Sequence, residues 1–275
     1  MWILDKPSLD IAKKDFDTAF PVNNNSSIDK DRKAIKEIYD LYDVNEGCTS
    51  HEYKGVTCNL KTKNKVKTAY NRTYEGKNLH YIRLELFKGI HKCPICSISA
   101  PTELDHFLPQ SKFELLSINR QNLIPVCHIC NNNKLAKDPN DFVHSYYASF
   151  PKDYFFIAQI EVVDESLSVK FVLLEKKIEK KDLHKKALTQ IKEINLTNRL
   201  SKEIDGFLFE IFQEENLNDD NFVVSIDKLI SKYHKVYGMN DWRTAFLIGI
   251  KNNSDINAKL INSIINRYKP NPIGA

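Results

Sequence analysis

The residues richest in chemistry lie between 93 and 134. Cys93-Pro94-Ile95-Cys96 and Cys127-His128-Ile129-Cys130 are two Cys-x-x-Cys knuckles with thirty residues between them. Four thiolates from two such knuckles can surround one zinc ion tetrahedrally, and the proline suits the tight turn of the first knuckle. A redox pair would instead open a helix after a strand, and a second pair would be superfluous. The spacing is longer than a plain zinc ribbon needs, so something is inserted in the frame. The insertion holds Leu104-Asp105-His106-Phe107-Leu108-Pro109 and Asn122-Leu123-Ile124-Pro125-Val126, and the second knuckle runs straight into Asn131-Asn132-Asn133-Lys134. In a strand, Asp105 and His106 point to opposite sides, which predicts different jobs for them. A carboxylate suits a hard cation such as Mg²⁺, with an asparagine side-chain oxygen as a second ligand. An imidazole that titrates near neutrality suits a general base. Together these parts make a one-metal phosphodiesterase site.

The elements that must position these residues are legible in outline. After the turn-rich stretch ending at Ser27, Ser27 caps a helix to about Tyr42 with Ile28, Ala34, Ile35, Ile38 and Leu41 on one side. Residues 44–78 carry few large apolar side chains and read as a loop or short strands. Asn78 caps a second helix, 79–90. Segments 154–163 and 167–174 are rich in β-branched and aromatic residues, and Asp164-Glu165-Ser166 between them predicts a hairpin. From about 180 to 268 the apolar period is helical. Its core stripes are Leu183, Ala187, Leu188 and Ile191; Leu200, Ile204, Phe207, Leu208 and Ile211; and Ile226, Leu229, Ile230 and Tyr233. Asp241 and Ser254 are further candidate caps.

The run Cys-x-x-Cys, Asp-His-x-x-Pro, Asn-Leu-Ile-Pro, Cys-x-x-Cys-Asn-x-x-Lys resembles the HNH, or ββα-metal, endonuclease family, in its zinc-knuckle version with Asn at the final position. The resemblance covers about 91–137. It implies that His106 is the base that activates water, and that Asp105 and Asn131 hold a catalytic Mg²⁺ or Mn²⁺. Asn122 would brace the loop joining the two strands and help orient His106. Cys93, Cys96, Cys127 and Cys130 would bind one structural Zn²⁺. Lys134 would face phosphate or the periphery of the metal site. Many relatives have His where this chain has Asn131, which leaves Asn132 and Asn133 as fallback ligands. The expected fold is α+β: a small zinc-framed ββα-metal core, a mainly helical remainder and one β-hairpin. The expected regions are 1–78, 79–145 and 146–275. His128 reads as an exposed bystander, and Cys48 and Cys58 as free thiols.

The formal net charge of +4 does not by itself call for nucleic acid, but residues 51–92 carry ten basic and three acidic side chains, a local charge of +7. Lys61, Lys63, Lys65 and Lys67 would share one face if extended. With Lys112, Lys134 and Lys137 they are candidate contacts to phosphate, interleaved with Tyr70, Tyr74 and Tyr81. The resemblance makes DNA the expected partner, with RNA left open. By analogy of motif and size, the chain resembles anti-phage effectors that work beside an ATPase, and 150–275 offers helical faces to such a subunit. A silent zinc-stabilised binding module and a restriction or mobile-element nuclease are the alternatives. The chain has no Walker-type loop, no apolar run that spans a membrane and no secretory leader pattern, so the expected compartment is the cytoplasm.

Overall fold

The computed structural model describes residues 3–23, 26–134, 138–212 and 219–268. The chain is α+β and divides into two compact units, residues 2–149 and 150–275. The expected division at 78/79 does not divide the structure, because the N-terminal helices are part of the first unit's core.

In that unit, α1 (Leu9–Ala19) precedes α2 (Ser27–Val44). The cap of α2 is Ser26, one residue earlier than expected. Its hydroxyl accepts the Asp29 N–H at 3.1 Å and donates back to the Asp29 carboxylate at 2.6 Å. Only Ser26 has an acidic residue three positions on to return the bond, the logic of a capping box. Tyr39 and Tyr42 join Ile28, Ile35 and Ile38 on the buried face. The segment expected to be loop or strand contains α3 (Leu60–Ala69), capped by Asn59. Its inward stripe is Thr62, Val66 and Ala69, too small to register as an apolar period. On a helix, Lys61 and Lys65 lie on one side and Lys63 and Lys67 on another, so the four lysines do not share one face. Next, α4 (His80–Phe87) is shorter than expected and has no side-chain cap; the Asn78 oxygen accepts from Arg72 at 2.9 Å instead.

Strands β1 (Glu103–His106) and β2 (Leu123–Val126) pair antiparallel, with Asp105 opposite Ile124 and His106 opposite Leu123. Helix α5 (His128–Lys134) follows β2 directly. Arg120, just ahead of β2, is buried. It makes two hydrogen bonds to Asp15 of α1, at 2.6 and 2.9 Å, and one to Glu85 of α4 at 2.8 Å. A buried guanidinium requires such partners, and through them it ties both helices to the segment between the strands.

The second unit opens with the hairpin of β3 (Phe156–Val163) and β4 (Ser166–Leu173). Asp164 and Glu165 have φ of 47° and 56°, as a two-residue primed turn demands. Among the described residues five helices follow: α6 (Lys181–Glu193), α7 (Leu196–Phe212), α8 (Asp219–Tyr237), α9 (Trp242–Lys251) and α10 (Ala258–Tyr268). The α6 stripe differs from expectation. Leu188 is 45% exposed, and Ala187 with Gln190 face inward. Asp241 caps α9 as expected, but α10 is capped by Asn257 rather than Ser254. Gly249 of α9 lies against β3, where a Cβ would come within 2.7 Å of the Ala158 carbonyl oxygen. Among the described residues, no helix is long and apolar enough to cross a membrane.

Candidate active site and cysteine cluster

The four knuckle cysteines come together. Their sulfurs all lie within 4.8 Å of one another, every one of the four residues is buried, and Cys96 and Cys127 are 3.8 Å apart. A tetrahedron with Zn–S bonds of about 2.3 Å has edges of about 3.8 Å, so the cluster has the size and the ligand set to hold zinc. The first knuckle turns back through Ser97 at φ 56°, with Cys93 N–H on the Ser99 carbonyl. The second spans the junction of β2 and α5, so the cluster fastens 93–96 to the start of that helix. Cys48 and Cys58 lie outside it as free thiols, one exposed and one buried.

Asp105 and His106 end β1. Strict alternation would separate them, yet both line one cavity of about 370 Å³ together with Asn131 and Lys134. The strand stops at His106. Burial pushes the His106 imidazole down to about 4 and lifts the Asp105 carboxyl above its usual range, against the pull of Lys134. The Ser117 carbonyl accepts from His106 Nε2 at 2.9 Å, which leaves Nδ1 with the lone pair. The ring packs on Tyr70, centroid to centroid 4.5 Å.

Asn122 is buried and takes a full set of bonds. Its Oδ1 accepts from the Leu108 N–H at 2.8 Å and from the Tyr42 hydroxyl at 3.0 Å; its Nδ2 donates to the Leu108 carbonyl at 3.2 Å. It therefore clamps the chain two residues beyond His106. Tyr42 also meets His144 Nε2 at 2.9 Å, and the His144 ring packs on Phe107 at 4.0 Å. Lys134 is 7% exposed. Its ammonium donates to Asp105 Oδ2 at 2.5 Å and to the carbonyls of His106 and Phe107 at 3.1 Å each. Lys134 thus lines the same cavity with its ammonium bonded to Asp105 and to the chain just after it.

The Asn131 amide donates to Glu103 at 2.5 Å, and His128 Nδ1 donates to the other oxygen of the same carboxylate at 2.6 Å. Burial would raise the Glu103 carboxyl, but those hydrogen bonds from Asn131 and His128 hold it below its usual range. A carboxylate facing an amide can only accept. Glu103 thus fixes the NH₂ of Asn131 toward itself and turns the Asn131 oxygen away from it. His128 is exposed as expected but not idle. Asn132 donates to its Nε2 at 2.8 Å, which draws that fallback ligand to the outside.

Lys112 is exposed and does not line the cavity. Lys61, Lys63, Lys65 and Lys67 sit on α3, whose C-terminal end adjoins the cavity through a 2.9 Å bond from Gln110 to the Lys67 carbonyl. Lys137 lies outside the described residues. Sequence reasoning missed Glu103, Tyr42 and His144, and it named Tyr70 without placing it against His106. Glu103 carried a usable signal, being two residues before Asp105 on the same face of a strand. Tyr42 and His144 are too distant in sequence to give one.

No protein-family model matches the chain, and no solved structure matches it. Over 202 residues the chain is 26% identical to Protein ea31 of Escherichia phage lambda, a match that covers 68% of this chain and 64% of that protein. The chain therefore spans somewhat less than two thirds of this relative's length.

Proposed function

We propose that this chain is a metal-dependent HNH-type endonuclease that hydrolyses phosphodiester bonds in DNA, with residues 103–134 as its ββα-metal core. The observation that carries this reading is that Asp105, His106 and Asn131 converge on one cavity from a β-hairpin and the helix that follows it. One carboxylate oxygen and one amide oxygen are hard donors that fit Mg²⁺ or Mn²⁺, and four thiolates fit zinc. When bound at Asp105 and Asn131, the divalent ion supplies charge stabilisation at the phosphate and the leaving 3′-oxygen. His106, neutral and with Nδ1 unprotonated, accepts the proton of the attacking water. The Ser117 carbonyl keeps the tautomer, and Asn122 holds the turn that aims the ring. Lys134 holds Asp105 in place through one oxygen and leaves the other for metal.

The silent-module alternative is disfavoured because every group that hydrolysis needs is kept and shares the cavity. The likeness to a phage lambda protein supports a phage-related role, and the nuclease reading rests on the cavity alone. The direct experiment is plasmid cleavage by the purified chain. The proposal expects nicking or linearisation with Mg²⁺ or Mn²⁺ and none after chelation of the divalent ion. Intact plasmid under both metals, from protein that holds its zinc, counts against it.

A further inference from the structure

We propose that Tyr70 and Tyr74 form a nucleobase subsite in the wall of the Asp105–His106 cavity, and that the preferred substrate is a strand with an unpaired base beside the scissile phosphate. The proposal rests on the phosphodiesterase reading above and narrows its substrate class. An aromatic wall runs outward from the candidate base: the His106 and Tyr70 rings are 4.5 Å apart, and Tyr70 and Tyr74 meet edge to face at 5.8 Å and 75°. The Arg83 guanidinium lies over the Tyr74 ring at 4.7 Å. Tyr70 is anchored by a 2.8 Å hydrogen bond from its hydroxyl to the Leu104 carbonyl, and Arg83 reaches that hydroxyl at 3.3 Å.

Tyr74 is different from its neighbour. It lines the same cavity but is 49% exposed. An exposed ring held by a cation on one side and a second ring at its edge is pre-ordered for a flat ligand, so little freedom is lost on binding. Every nucleobase has such a face, and stacking on an aromatic side chain tolerates any sequence. A base inside a duplex already stacks on both faces and offers none without being pulled out. The cavity, about 370 Å³, suits one nucleotide rather than a helix. Gln110 and Ser111 also line the cavity, beside Leu104, Phe107 and Pro109.

The test uses the full chain, holding zinc but without added Mg²⁺ or Mn²⁺ so that it binds without cutting, and a single strand of about 12 nucleotides with one 2-aminopurine, a base whose fluorescence falls on stacking. Protein with Tyr74, and with Tyr74→Phe, should quench the probe. Tyr74→Ala should lose the quenching and bind at least about tenfold more weakly. The same oligonucleotide annealed to its complement should show neither difference. Unchanged affinity and quenching with Tyr74→Ala would overturn the proposal, as would failure of all these proteins to bind the single strand. The nuclease reading fails separately: protein with His106 intact that quenches through Tyr74 but leaves the strand uncut with Mn²⁺ keeps the subsite and removes the nuclease.

Discussion

The two units bury different things. Of the sixteen buried polar or charged side chains among the described residues, twelve fall in residues 2–149 and four in 150–275. In the second unit, three of the four are Asp241, Arg243 and Thr244, gathered at the start of α9, where Asp241 accepts the Arg243 N–H and its guanidinium. The rest of that interior is helix on helix and helix on hairpin, held by Leu200, Ile204, Phe207, Phe246 and their neighbours. In the first unit five of the twelve, Ser117, Asn119, Arg120, Gln121 and Asn122, lie just ahead of β2, and Asp15 and Lys134 bond to residues of the segment from Asp105 to Asn122. Apolar packing holds a shape loosely enough to accept other side chains of similar volume, whereas a hydrogen-bonded network specifies one arrangement of its members. The difference teaches where this chain spends polar burial: on aiming one turn and two strands at a cavity.

That comparison can be broken in stages. The largest effect belongs to the cysteine cluster. Cys127→Ser should reduce bound zinc from about one ion per chain to none and unfold the first unit's transition in calorimetry, while the transition of the second unit stays in place. Equal loss in both units would show that the division is not energetic. Next is the buried ion pair. Asp15→Ala leaves the buried Arg120 with its bond to Glu85 but without its two bonds to Asp15, and should cost about 3 kcal/mol in denaturant unfolding. Leu200→Ala in the apolar unit should cost about 2–5 kcal/mol as a cavity, with no change in cleavage. A smaller, sharper effect tests positioning. Glu103→Gln removes the group that orients the Asn131 amide and should raise the Mg²⁺ needed for half-maximal cleavage about tenfold, with zinc content and melting unchanged. If the metal requirement does not move, Glu103 is a surface link only. Smallest is Asn257→Ala, which removes the cap of α10 and should cost about 1 kcal/mol with no effect on cleavage.

Much of the site was legible because its signals are local. Knuckle spacing, the Asp105-His106 pair and Asn131 beside Cys130 all lie within a few residues of the elements that present them. The β3–β4 hairpin was legible for the same reason, since Asp164 and Glu165 interrupt two β-rich runs. What stayed hidden was set by distance or by size. Tyr42 meets Asn122 across eighty residues and His144 across about a hundred. Helix α3 was hidden by the smallness of Thr62, Val66 and Ala69, and its lysines mimic a strand's alternation on a helical backbone. The cap of α2 lies one residue earlier because the return bond from the serine hydroxyl to the Asp29 carboxylate selects Ser26.

The central claim is that the cavity of Asp105, His106 and Asn131 breaks phosphodiester bonds with His106 as base. The most direct measurement is single-turnover cleavage of a labelled DNA strand with Mn²⁺ by the wild-type chain and by His106→Ala, at matched zinc content, with the product ends identified. The account predicts 5′-phosphate and 3′-hydroxyl ends from the wild type and a rate at least about a hundredfold lower from the variant. Equal rates from the two proteins would contradict it.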